Sequence, residues 1–135
     1  MTASLPKTLL IPALVALLFG CSDTPPAPSE SEFTNAVMQA EVPVELATGV
    51  SLFADNCSAC HGERGLGTEQ GPPLVHIIYE PSHHADVAFL MAVRRGVRAH
   101  HWQFGDMPPI PSLDNEDVAE IVAYIRFLQR HAGIV

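Results

Sequence analysis

The chain has 135 residues, 47% of them hydrophobic, with seven Lys plus Arg against fifteen Asp plus Glu, a formal net charge of −8 and a mean hydropathy of +0.18. That length bounds it to a single ordinary domain, and a chain this acidic, with Lys7 its only lysine, is a poor match for nucleic acid, whose phosphates are contacted by Lys and Arg. A basic or neutral protein partner suits it better, attracted over about one Debye length, roughly 8 Å at physiological salt.

The apolar stretch LLIPALVALLFGC, Leu9 to Cys21, follows Lys7 and has the pattern of a secretory signal sequence. It is too short to span a bilayer as a helix. Its last residues, Leu18-Phe19-Gly20-Cys21, resemble a bacterial lipobox. The resemblance implies a signal peptide over residues 1–20, cleavage before Cys21 and acylation of that cysteine. The chain would then be held on the periplasmic side of a bacterial membrane, each buried CH₂ contributing roughly 0.8 kcal/mol. Ser22, rather than Asp, follows the cysteine, which by the same resemblance favours the outer membrane. The alternative is an ordinary secreted protein cleaved elsewhere. Residues 21–44 are rich in Pro, Ser and Glu and read as a flexible tether, with SEFTNAVMQA forming a transient helical turn or two. The folded domain is expected over 45–135.

Three helices are predicted in that domain. Glu45–Asn56 places Leu46, Gly49, Val50 and Phe53 on one face. Ser82–Gly96 begins after Pro81 with Ser82 as N-cap and stops at a glycine. Asp114–His131 opens on acidic residues, closes on Arg126, Arg130 and His131 near the negative end of its dipole, and carries the stripe Val118, Ile121, Val122, Ile125, Leu128. The loops between them are rich in Gly and Pro, and no alternating strand appears, so the expected class is all-α with long loops.

At the end of the first helix stands CSACH, Cys57 to His61. With Cys21 taken by lipid, these are the two remaining cysteines, and an oxidising compartment would pair them unless they have another partner. A zinc site wants four ligands, and no second cysteine pair or regular His spacing supplies them. A thioredoxin-like redox pair wants a βαβ context that the chain lacks. The third chemistry is covalent haem attachment through C-x-x-C-H. Two sulfurs about one helical turn apart would reach the two vinyl groups, and His61 would ligate the iron. For a second axial ligand Met107 stands out. Met91 sits inside a helix, where packing explains it, whereas Met107 lies in a loop between Gly105 and Pro108-Pro109. His100 or His101 is the runner-up. Trp102, the only tryptophan, carries a donor-only indole N–H that suits a haem propionate, and Arg64 and Arg98 are further candidates for that role. The pairs His83-His84 and His100-His101 suggest copper or proton sensitivity, but adjacent histidines on a helix do not share a face, so each pair alone chelates poorly.

The joint occurrence of GVSLFADNCSACHG, GPPL, GDMPP and LDNEDVAEIVAYIRFL, in that order, resembles the class I c-type cytochromes across nearly the whole folded domain. The resemblance implies a cytochrome c-like all-α fold of three main helices around one covalent haem c. It implies haem bonds to Cys57 and Cys60, with His61 and Met107 as axial ligands. It further implies that the Pro72 carbonyl holds the second nitrogen of His61, that Leu74 lines the haem face, and that Gly49 and Phe53 pack against Tyr124. The expected activity is single-electron transfer in the periplasm rather than enzymatic catalysis, with redox partner proteins docking weakly, over less than about 1,200 Å², near an exposed haem edge. Two alternatives are a dedicated haem subunit of an oxidase, reductase or copper-handling complex, and a haem-based gas or redox sensor.

Overall fold

The computed structural model describes Met1 and residues 29–135, so the signal segment and the lipidation candidate Cys21 lie outside the described residues. Five helices follow in order: α1 (Glu30–Gln39), α2 (Ala47–Asn56), α3 (Ser58–His61), α4 (Asp86–Arg95) and α5 (Asn115–His131). Among the described residues the only β pairing is an isolated antiparallel bridge, Val97 to Met107. None of the described helices is long and apolar enough to cross a membrane.

Helix α5 is the axis of the domain. It starts in a reciprocal capping box: the Asp114 carboxylate accepts from the Asp117 amide at 2.8 Å, and Asp117 accepts from the Asp114 amide at 3.0 Å. The predicted stripe is buried along its whole length, from Val118 to Leu128. Burying each such side chain contributes about 1.5–3 kcal/mol, so this one face supplies much of the core. Helix α2 crosses it at Gly49. A Cβ built there would stand 2.2 Å from the Glu120 carbonyl oxygen and 3.1 Å from the Tyr124 Cβ, so the crossing is closer than any side chain allows. Beside it Phe53 meets Tyr124 edge to face at 5.7 Å. The helix begins later than its sequence pattern suggested, after a 3₁₀ turn over Val44–Leu46 that has no side-chain cap.

Helix α4 also begins later, at Asp86 rather than after Ser82. Ser82 does not cap it; its hydroxyl donates to the Glu80 carboxylate at 2.7 Å. The amides of His83 and His84 both return to the Glu80 carbonyl, at 3.1 and 2.8 Å, making residues 81–84 a turn. Arg126 explains the change, because its guanidinium takes the carbonyls of Tyr79 and His84 and holds this segment out of the helix. Gly96, with φ 75°, ends α4 as expected.

The expectation of a tether up to residue 44 is corrected over its second half. Residues 30–39 form a full helix, and Val37 and Ala40 are buried in the core. Ser29 and Glu32 make a capping box, the Ser29 amide donating to Glu32 at 2.8 Å. The far end of α1 is held by Arg64, which donates to the carbonyls of Val37 (2.9 Å) and Ala40 (2.8 Å). A cation is favoured at the carbonyls of a helix C-terminus, and the last turn of α1 has none of its own. Arg64 does this from a left-handed backbone, φ 54°, a conformation that costs a non-glycine residue about 1–2 kcal/mol.

Two substitutions test these contacts. Gly49→Ala should lower the stability of the protein by about 1–3 kcal/mol through overpacking, read as a lower denaturation midpoint; an unchanged midpoint would show that the two helices can separate freely. Arg64→Ala should accelerate amide exchange in α1 while leaving α5 protected, and exchange that is unchanged in α1 would show that Arg64 does not hold it.

Candidate functional site

The α2 helix stops at Cys57, whose backbone (φ −125°, ψ −35°) kinks the chain before the single turn of α3. The turn is closed by the amide of His61 to the Cys57 carbonyl at 2.9 Å and that of Gly62 to Ser58 at 2.8 Å. Cys57 is buried and Cys60 exposed, and the two are not joined as a disulfide. Burial first, and then the neighbouring charge of Cys60, pushes the Cys57 thiol up to about 11. A redox-active dithiol needs a lowered thiol pKa, so the environment opposes thioredoxin-like chemistry here.

Past His61 the chain doubles back. Gly62, at φ 77°, sits so close to Gly67 that a Cβ would lie 2.3 Å from its carbonyl oxygen, and only glycine takes that position without strain. The Gly67 amide donates to the His61 carbonyl at 2.6 Å, and the Thr68 hydroxyl donates to that of Cys60, also at 2.6 Å. The loop so folded brings the Pro72 carbonyl to 2.8 Å from Nδ1 of His61. A carbonyl only accepts, so Nδ1 carries the proton and Nε2 keeps its lone pair. Burial, opposed by the Pro72 bond, pushes His61 below the ordinary histidine value and favours that neutral ligating form.

Cys57, Cys60, His61, Pro72, Leu74, Trp102 and Met107 all line one slot of about 640 Å³ between α3, α4 and α5, most of whose other walls are apolar. These seven of the residues picked out in the sequence therefore share one slot, whereas Arg64 and Arg98 do not line it. The Met107 loop is fixed by something the sequence pattern did not reveal. Its backbone exchanges two hydrogen bonds with Val97, both 2.9 Å, and the crossing is so tight that a Cβ on Gly96 would lie 2.5 Å from the Met107 carbonyl oxygen. Helix α4 thus delivers its own C-terminal extension as the support for Met107, and the terminating glycine was the only sequence signal for it. Met91 also lines the slot. Met38 is exposed on α1.

Of the three residues considered for anionic groups, Arg64 is occupied at α1 and does not serve the slot. Arg98 is exposed, and its carbonyl accepts from Nδ1 of His100. Trp102 differs: its Nε1 is buried and, among the described residues, has no hydrogen-bond partner. A buried donor left unpaired costs about 1–3 kcal/mol, so this N–H is suited to an acceptor entering the slot. His100 and His101 line the slot too, from exposed positions.

An apolar slot, two thiols at its edge, a neutral imidazole, a thioether on a braced loop and an unpaired indole donor together fit a flat apolar macrocycle with a metal at its centre and anionic arms. A family model described as cytochrome c matches residues 46–129. No curated protein and no solved structure matches the chain. The family model covers well over half of the chain and the helical architecture accords with it, so the chain belongs to the cytochrome c family, electron-transfer proteins that carry covalently attached haem c, and it holds the Cys57/Cys60 pair at which such attachment is made.

Proposed function

We propose that the chain is a periplasmic single-electron shuttle, its haem bonded through Cys57 and Cys60 and ligated axially by His61 and Met107. Haem c supplies reversible one-electron chemistry at iron; the protein supplies ligands, an apolar shield and orientation. His61 is committed by the Pro72 carbonyl to present Nε2, and a hydrogen bond to the other ring nitrogen raises the basicity of a ligating imidazole. Met107 contributes a neutral thioether, which favours the ferrous state and a raised potential. The half-buried Trp102, with its Nε1 at the slot, would donate to a propionate. The observation that carries this reading is the sharing of one slot by the Pro72-oriented His61 and the Val97-braced Met107.

Redox partners would dock where the slot opens near Phe104, which lines it and is 40% exposed. The chain's negative charge favours partners with a basic or neutral face. Acylation of Cys21 would hold the domain at a bacterial membrane, the outer one by the residue that follows it.

Two experiments test the reading. The ferric protein should show the weak far-red charge-transfer band of sulfur-ligated iron, and Met107→Ala should abolish it, lower the potential and open the ferrous iron to carbon monoxide; a band that survives the substitution would sink the assignment of Met107. Cys21→Ser, expressed in a bacterial host, should move the haem protein from the membrane pellet to the soluble periplasmic fraction, and a wild-type protein that is already soluble would overturn the anchor.

A further inference from the structure

Neither histidine pair is a chelate alone, but the fold brings them together. His83 and His84 lie in the turn before α4, and His100 and His101 in the loop after it. The rings of His83 and His101 are 5.1 Å apart between centroids, those of His84 and His101 5.2 Å, and those of His83 and His84 4.7 Å. One ring nitrogen from each of His83, His84 and His101 lies within 4.8 Å of the other two. His100 stacks beside them, 4.3 Å from His101 and 6.1 Å from His84.

We propose that His83, His84 and His101 form a three-nitrogen site for a divalent first-row transition cation, copper(II) foremost, distinct from the haem ligands. Imidazole is a ligand for copper, zinc and nickel, and copper(II) heads the affinity order for such donors. Copper(II) takes a square-planar or tetragonal set of ligands, and nitrogens at about 2.0 Å in neighbouring positions of such a set stand roughly 2.8 Å apart. The imidazoles need only rotate inward to reach that spacing, and His83 and His101 are exposed side chains with room to do so.

The frame around the cluster is already fixed. Nδ1 of His84 donates to the Ile78 carbonyl at 2.7 Å, which leaves Nε2 as its free donor atom. An outer partner of that kind is the usual companion of a metal-binding histidine. The His84 carbonyl is tied to the buried Arg126, and the His83 and His84 amides are tied to Glu80. On the other side, the Ala99 amide donates to Asp106 at 2.9 Å and His100 Nδ1 donates to Arg98 at 2.8 Å. Both backbones that carry the ligands are thus held independently of any ion. The remaining histidines outside the haem site are occupied differently: His76 accepts from the Ile78 amide and packs on Trp102, and His131 stacks on Phe127. His83 is the most telling of the three, because His84 and His101 also line the slot and His83 does not.

The test is titration of the ferric, haem-loaded protein with copper(II), followed by calorimetry and by electron paramagnetic resonance, in which the copper signal is separate from that of the haem. Losing an outer partner of a metal site alone costs about 10–100-fold in affinity, so losing a ligand should cost roughly tenfold or more. The expected result is one copper per chain with nitrogen hyperfine structure, weakened roughly tenfold or more in both His83→Ala and His101→Gln and unaltered in His131→Ala. The haem absorption spectrum should be unchanged in all three variants, which shows that they fold and that the iron ligands are intact. Absence of saturable binding by the wild type, equal weakening by His131→Ala, or undiminished affinity in the combined His83→Ala, His101→Gln variant would each overturn the proposal. A His101→Gln variant whose haem spectrum changed would also overturn it, by assigning that imidazole to iron.

Discussion

One buried guanidinium organises the largely irregular segment between Leu74 and α4. Arg126 is only 6% exposed. Its Nε donates to Asp86 at 2.8 Å, its Nη1 to the Tyr79 carbonyl and to Gln129, both at 2.6 Å, and its Nη2 to the His84 carbonyl. Its plane lies 5.0 Å over the Phe89 ring. Removing a charge from water costs several kcal/mol, and a buried pair recovers this only when the remaining hydrogen-bonding positions are also met. Here they are met largely by backbone carbonyls, so the desolvated charge selects one conformation for the chain between Leu74 and α4. Gln129 extends the same network, donating to Leu74 at 2.8 Å and Tyr79 at 3.0 Å. A segment with only one short 3₁₀ turn, Ile77–Tyr79, is thereby given a wall of the haem slot to build and a turn on which to present His83 and His84.

The other walls follow from close backbone approaches. Gly49 lets α2 lie against α5, and that crossing fixes where α2 ends, hence where Cys57, Cys60 and His61 stand. Gly62 then lets the loop return so that Pro72 reaches His61, and Gly96 lets the chain leave α4 and brace Met107 against Val97. At all three places a side chain would collide with backbone rather than with a movable neighbour. The site is set by where the main chain can come near itself, and the ligating side chains inherit that precision.

This separates what was readable in the sequence from what was not. The α5 stripe, the face of α2, the CSACH turn and the loop methionine all carry local signatures, periodicity or spacing; the stripe and the residues Gly49 and Phe53 of the α2 face are buried, and Cys57, Cys60, His61 and Met107 line one slot. Arg126 had a local reading as well, as a cation near the end of the helix dipole, and it was incomplete. Gln129 is a local partner, but Asp86, Tyr79 and His84 lie forty or more residues away in the chain, and nothing local announces them. The same is true of Arg64, whose partners on α1 turn a Pro- and Ser-rich lead into a docked helix. There a signature was present, Ser29-x-x-Glu32, but composition outweighed it. A helix whose own propensity is marginal forms when a buried valine and a capping cation from elsewhere hold it. The meeting of the two histidine pairs is likewise a product of tertiary contact, since each pair taken singly has the geometry of a poor ligand.

The size of the slot says why so short a domain can be organised this way. Protein interiors pack at the density of organic crystals, yet the side chains here enclose about 640 Å³ among α3, α4 and α5. Without a group in it, the apolar walls of the slot would lack partner atoms on one side and stand against water. The porphyrin of a cytochrome c is therefore a component of the hydrophobic core as well as the seat of the electron. Covalent attachment at a kinked cysteine turn makes its contribution permanent, because the group that completes the packing cannot dissociate from the chain that needs it.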